Sequence, residues 1–164
     1  MRTPILLIGP MGVGKTTVGK KLAKALSVGF IDTDKEVVRS HGQIPRIFSE
    51  HGEKYFRELE SEALKRSLRS AGVIATGGGI VLSPENQVIL SRNFVVYLST
   101  NGMHMRSRLL ARPRPLLRNG MDDWRRIYEE RRAQYEKLST VQIDTSGKSL
   151  GSVVDEIMAV VSPG

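Results

Sequence analysis

Eight consecutive residues, Gly9-Pro10-Met11-Gly12-Val13-Gly14-Lys15-Thr16, constrain this chain more than any other segment. They fit the pattern GxxxxGK[ST], follow the apolar run Ile5-Leu6-Leu7-Ile8 and precede a stretch in which Val18, Leu22, Ala25 and Leu26 share one helical face. A strand, a glycine turn and a helix in that order make an anion cradle. Glycines at 9, 12 and 14 let successive N–H groups point inward, and the helix N-terminus adds a partial positive charge. Lys15 is placed to reach β- and γ-phosphates, and the Thr16 hydroxyl to ligate Mg²⁺. The segment predicts a nucleotide site built on Gly12, Val13, Gly14, Lys15 and Thr16, with Thr17 assigned to the α-phosphate by analogy alone. It leaves the phosphoryl acceptor open.

The rest of the chain repeats the strand-then-helix alternation. Four further β-prone runs follow, Val28-Gly29-Phe30-Ile31, Val73-Ile74-Ala75-Thr76, Phe94-Val95-Val96-Tyr97-Leu98 and Val141-Gln142-Ile143-Asp144. Their continuous apolarity predicts strands covered on both faces. Between them lie helical stripes through Phe56, Leu59, Ala63 and Leu64 and through Val153, Val154, Ile157 and Val160, and Ser83-Pro84-Glu85 reads as another helix start. Strands alternating with helices predict a parallel α/β sheet with right-handed crossovers.

The 164 residues suit a single domain, 1–164. No apolar run approaches the roughly 20 residues of a membrane-spanning helix, and the opening Met1-Arg2-Thr3-Pro4-Ile5-Leu6-Leu7-Ile8 is too short for a signal peptide. With no cysteine there is neither a disulfide framework nor a thiolate metal site, which fits a reducing cytoplasm. The net charge of +8 suits nucleic acid or small anions equally, and nine arginines lie between Arg106 and Arg132. Within that stretch Arg112-Pro113-Arg114-Pro115 cannot continue the helix expected over 103–111, and Asn119-Gly120 is a turn pair. A loop of low local stability, about 112–120, is therefore expected to act as a lid on a core of 1–111 and 121–164.

Asp32-Thr33-Asp34 follows the second run at the carboxyl edge, where open α/β sheets bind ligands. In an extended step, residues 32 and 34 point the same way. Asp32 could then hold Mg²⁺ through water while Asp34 takes a proton from an acceptor hydroxyl. Alternatively, Asp34 caps the helix through Glu36, Val37 and Val38. The histidines, His41, His51 and His104, lack metal-ligand spacing, and Trp124 reads as a packing anchor.

Taken in order, the motifs resemble the shikimate kinases, small members of the P-loop nucleoside-monophosphate-kinase-like group. The resemblance rests on residues 9–16, Asp32-Thr33-Asp34, Ile47-Phe48, Gly52-Glu53, Phe56-Arg57-Glu58-Leu59-Glu60, Thr76-Gly77-Gly78-Gly79, Arg114-Pro115-Leu116-Leu117, and Arg131 with Tyr135. It implies a three-layer α/β/α P-loop kinase with a five-stranded parallel sheet of order 2-3-1-4-5, and a monomer that moves the γ-phosphoryl group of ATP to the 3-hydroxyl of shikimate. It also implies the pathway to chorismate and aromatic amino acids. By the same resemblance Arg57 and Arg131 clamp the substrate carboxylate, Asp34 bonds ring hydroxyls and serves as base, Phe48 faces the ring, and Gly77, Gly78 and Gly79 donate N–H groups. Arg114 becomes the lid arginine, Arg106 or Arg108 the nucleotide-side arginine, and Ser146-Gly147-Lys148 falls where relatives often place an arginine beside adenine.

The residues by themselves also permit plainer roles. Arg57 suits a surface ion pair, three glycines suit a tight turn, and Phe48 suits the core. Glu60, three residues after Arg57, is placed to hold its guanidinium. Two other functions are compatible with the cradle: a kinase of another hydroxy acid such as gluconate, and a basic nucleotide-dependent nucleic-acid-binding module. The second lacks aromatic RNA-binding and helix-turn-helix patterns, so a small-molecule substrate without nucleic acid or membrane partners is expected.

Overall fold

The computed structural model describes residues 4–70, 72–109 and 114–161. In chain order the elements are β1 (Ile5–Ile8), α1 (Lys15–Leu26), β2 (Phe30–Asp32), α2 (Thr33–His41), α3 (Ile44–His51), α4 (Glu53–Ser67) and β3 (Val73–Ala75). There follow α5 (Pro84–Ser91), β4 (Phe94–Ser99), α6 (Met105–Leu109), α7 (Met121–Leu138), β5 (Val141–Asp144) and α8 (Leu150–Val161).

All five strands pair in parallel, in the order β2-β3-β1-β4-β5. The register sets Leu6 of β1 between Ile74 of β3 and Val95 of β4. Alternation along β1 divides the core. Ile5 and Leu7 pack with Val18 and Leu22 of α1 and with Val154 and Ile157 of α8. Leu6 and Ile8 face Leu64 of α4, Leu90 of α5 and Trp124, Tyr128 and Tyr135 of α7. The result is helices on both faces, which is why β1, β3 and most of β4 are wholly buried. A third, smaller cluster of Val37, Ile47, Phe56 and Ala63 ties α2, α3 and α4 together beside the β2 edge.

The structure departs from the sequence expectation at the sheet edges. β2 begins at Phe30 rather than Val28, because Ser27 adopts a left-handed conformation (φ 56°) and the Val28 N–H donates to the Ala23 carbonyl to close α1. Covering on both faces holds for the inner strands only: β2 is half-buried, and β5 exposes Gln142 and Asp144. Helix α3 carries no expectation from apolar spacing; of the helix expected over 103–111, the described residues show α6, and residues 110 and 111 lie outside them. The start of α5 falls after Ser83 as read, although the Ser83 side chain makes no capping hydrogen bond. Of the lid, residues 112 and 113 lie outside the described residues; Arg114 to Gly120 form turns leading into α7.

Candidate active site

At the carboxyl end of β1 the chain turns through Gly14, whose φ of 107° is open to glycine, into the first turn of α1. Lys15, only 8% exposed, donates from Nζ to the carbonyls of Gly9 (2.6 Å) and Pro10 (2.9 Å). Burial lowers its pKa to about 8, a fall that Asp34 and Asp32 only partly oppose. Carbonyl oxygens thus hold the ammonium inside the loop.

The Thr16 hydroxyl donates to Asp32 Oδ2 at 2.5 Å. The other Asp32 oxygen accepts from the N–H groups of Asp34 (2.9 Å) and Lys35 (3.2 Å), capping α2. The capping carboxylate is thus Asp32 rather than Asp34, and residues 32 to 34 are not an extended step. The chain leaves β2 at Asp32 and enters α2 at Thr33, which puts the Asp34 side chain on the first helical turn. Asp34 lines two hollows. Thr16 and Asp32 together offer hard oxygens of the kind Mg²⁺ takes alongside phosphate.

A hollow of about 450 Å³ opens over this loop, lined by Gly12 to Val18, Asp32, Asp34 and Arg108 and, farther along, Thr145, Lys148, Leu150 and Val153. Arg108 donates to the carbonyls of Gly12 (3.2 Å) and Val13 (3.3 Å), whereas Arg106 lies outside the lining. Thr17 is exposed at its rim.

A second hollow of about 380 Å³ lies on the β2 side. Arg57 and Arg131 both line it, one from α4 and one from α7, and each is largely buried. Arg57 does form the ion pairs its helix position suggests, with Glu53 at 3.2 Å and Glu60 at 3.3 Å, but these hold the guanidinium toward the cavity rather than on the surface. Glu60 is fully buried, and burial, ahead of the pull of Arg57, holds its carboxyl above the usual carboxylate range. Phe48 is half-buried: its ring packs 5.1 Å from Phe56 and also lines the hollow.

The glycine turn after β3 is close-fitting rather than merely tight. A Cβ on Gly77 would lie 2.6 Å from Glu60 Oε2 and 2.7 Å from Asp34 Oδ1, and one on Gly79 would collide with the Arg57 guanidinium. Any larger residue at 77 or 79 would have to push aside the charged ends of Asp34, Glu60 or Arg57.

Six residues line both hollows: Met11, Asp32, Asp34, Gly77, Gly78 and Arg114. The two cavities therefore meet across two carboxylates, Asp32 and Asp34, and one guanidinium, with the cradle on one side and Arg57 and Arg131 on the other.

Several contributors escape sequence reasoning. Thr145 and Leu150 wall the first hollow with no motif to mark them, and Pro115 and Leu116, quoted only as part of the Arg114 motif, wall the second. Trp124 is more than packing: its Nε1 donates to the Met11 carbonyl at 2.8 Å. Tyr135 donates from its hydroxyl to the Gly78 carbonyl at 2.5 Å.

Parallel strands in the order β2-β3-β1-β4-β5, a phosphate cradle after the central strand and a second cavity against it define a P-loop kinase. The family model described as Shikimate kinase matches residues 11–162. A shikimate kinase of Caldanaerobacter subterraneus is 43% identical over 169 residues, covering 94% of this chain and 93% of that protein. One from Streptomyces coelicolor is 40% identical over 161 residues, covering 96% and 94%. Among solved structures, shikimate kinase from Acinetobacter baumannii in complex with shikimate superposes with a TM-score of 0.89 at 36% identity, over 96% of this chain and 91% of that one. The chain belongs to the shikimate kinase family.

Proposed function

We propose that this chain transfers the γ-phosphoryl group of ATP to the 3-hydroxyl of shikimate, giving shikimate 3-phosphate for chorismate and aromatic amino-acid synthesis. Membership of the shikimate kinase family makes it an ATP-dependent kinase of shikimate. The observation that carries the residue-level reading is the shared wall of the two hollows at Asp34, Gly77, Gly78 and Arg114. A donor phosphate and an acceptor hydroxyl that meet there need no further travel.

In this reading the acceptor's carboxylate lies between Arg57 and Arg131, whose planar guanidinium forks suit it, and the ring rests against Phe48. N–H groups of Gly77, Gly78 and Gly79 and the carboxylate of Asp34 fix the hydroxyls. As the hydroxyl oxygen bonds to the γ-phosphorus, the bond from phosphorus to the β,γ-bridging oxygen breaks, ADP departs, and the hydroxyl proton passes to Asp34. Lys15 leaves the Gly9 and Pro10 carbonyls for phosphate oxygens, and Arg114 stabilises the charge that develops on them. Val13, Gly14, Thr17 and Arg108 hold the polyphosphate. Thr16 and Asp32 would hold Mg²⁺, which supplies further charge neutralisation at the phosphates. The reading takes the enzyme as a monomer in the cytoplasm, a compartment with which the lack of cysteine is consistent.

A coupled ADP-release assay across shikimate, gluconate, sugars and nucleoside monophosphates tests the proposal. Turnover is expected with shikimate; brisk turnover with gluconate and none with shikimate would contradict it.

A further inference from the structure

Helix α7 reaches both glycine loops at once. Trp124, near its start, hydrogen-bonds the Met11 carbonyl of the phosphate loop, and Tyr135, three turns on, hydrogen-bonds the Gly78 carbonyl of the turn after β3. Trp124, Tyr128, Arg131 and Tyr135 follow one another at spacings of four, three and four, so they share one face, and all are buried. The loops they reach are neighbours: a Cβ on Gly78 would stand 3.4 Å from the Met11 nitrogen.

A trans peptide unit is planar, with its carbonyl and its N–H pointing in opposite directions. Fixing the Met11 carbonyl against Trp124 therefore turns the Gly12 N–H away from α7, and Gly12 lines the nucleotide hollow. Fixing the Gly78 carbonyl against Tyr135 likewise turns the Gly79 N–H away, and Gly79 lines the acceptor hollow. Glycine-rich backbone has the greatest freedom to rotate out of such a setting, so an external anchor has most effect there. Between the anchors the helix is braced. The hydroxyls of Tyr128 and Tyr97 lie 2.5 Å apart, Tyr97 stacks on Tyr135 at 5.2 Å, and Trp124 packs edge-on to Tyr128 at 5.3 Å. Burial pushes the Tyr135 hydroxyl up to about 12, so it remains a donor at neutral pH.

We propose that Trp124 and Tyr135 are positioning residues that pin one peptide plane in each glycine loop, and that α7 between them sets how the donor phosphate and the acceptor face each other. This rests on the functional reading above and adds to it two residues that touch no substrate.

The test compares Tyr135→Phe, which keeps the ring and removes one donor, and Trp124→Phe, which keeps an aromatic ring but removes the donor with the pyrrole half of the indole, with Tyr97→Phe as a control from the same aromatic cluster that reaches neither loop. Steady-state rates with ATP and shikimate, thermal midpoints and ¹⁵N–¹H amide spectra are recorded for all. Trp124→Phe is expected to raise KM for ATP about three- to tenfold and shift the Gly12 amide. Tyr135→Phe is expected to raise KM for shikimate by a similar factor and shift the Gly79 amide, with kcat lowered in both. In the double variant the loss in kcat should be smaller than the product of the single losses, because a bar released at one end no longer holds the spacing. The proposal is overturned if both variants move the two KM values alike, in step with a thermal loss that Tyr97→Phe reproduces, or if the Gly12 and Gly79 amides stay in place. Turnover of shikimate by the unmodified protein in the same assay separates that failure from a failure of the functional reading, and the amide spectra report on the anchors even without turnover.

Discussion

The two hollows share a wall but are made in opposite ways. The cradle of the first comes from eight consecutive residues and one turn, so its geometry is set by local backbone chemistry. The second draws Asp34 from α2, Phe48 from α3, Arg57 and Glu60 from α4, three glycines from the loop after β3 and Arg131 from α7. A local cradle serves any nucleoside triphosphate, whereas a cavity assembled from five places can match one acceptor. On the proposed reading, recognition of the donor and selection of the acceptor are thus divided between a short motif and the tertiary fold.

Substitutions on either side should separate these tasks. The largest effect belongs to Lys15→Ala: kcat is expected to fall about a thousandfold, with circular dichroism unchanged, because the positive charge on the transferring group is lost. A loss below tenfold would show that the cradle lysine is dispensable. Asp34→Asn keeps the shape at the shared wall and removes the proton acceptor, so kcat should fall about a hundredfold while both KM values stay within a few-fold. Undiminished kcat would remove Asp34 from its role as base.

Arg57→Ala addresses the acceptor side alone. KM for shikimate should rise on the order of tenfold to a hundredfold with ATP affinity intact, since half of the carboxylate clamp is gone. The same change leaves Glu60 buried without its ion pair, so the thermal midpoint should also fall, and Arg57→Ala combined with Glu60→Gln should recover part of that midpoint but not the affinity. If nucleotide affinity fell instead, the division between the hollows would be wrong.

The mildest prediction concerns protons. In the free protein the Lys15 pKa is depressed from 10.5 to about 8. Its charge is therefore a cost to folding below about pH 8 that is relieved as the group deprotonates. A bound triphosphate favours the ammonium and raises that pKa again. Between about 8 and 10.5, ATP binding should take up a proton, and affinity should weaken by at most about tenfold per pH unit as pH rises. Calorimetry at pH 9 in buffers of different ionisation enthalpy reads the uptake directly; a buffer-independent heat would contradict it.

The same contrast decides what could be read in advance. The cradle was legible because its residues are adjacent and each glycine has a stated use. The sheet was legible in its inner strands because burial on both faces leaves an unbroken apolar run, and less so at the β2 start, where a left-handed Ser27 spends Val28 on closing α1. Strand order came with the family resemblance, since apolar runs carry no order. The carboxylate pair was legible as a pair, but its division of labour was not. An N-cap is assigned by which oxygen meets which N–H, and that belongs to Asp32. Trp124 gave no sign of its hydrogen bond because its acceptor, the Met11 carbonyl, lies 113 positions away. Arg57 looked like a surface ion-pair residue because its Glu partners are local, while the cavity it faces is built by residues far along the chain.

The claim on which the account turns is that donor and acceptor occupy separate hollows and meet across Asp34. A crystal structure with a non-hydrolysable ATP analogue and shikimate bound together tests it most directly. The terminal phosphorus is expected in the first hollow, about 3.5 Å from the shikimate 3-hydroxyl, with the carboxylate between Arg57 and Arg131. Shikimate seated away from those arginines, or both ligands in one hollow, would contradict it.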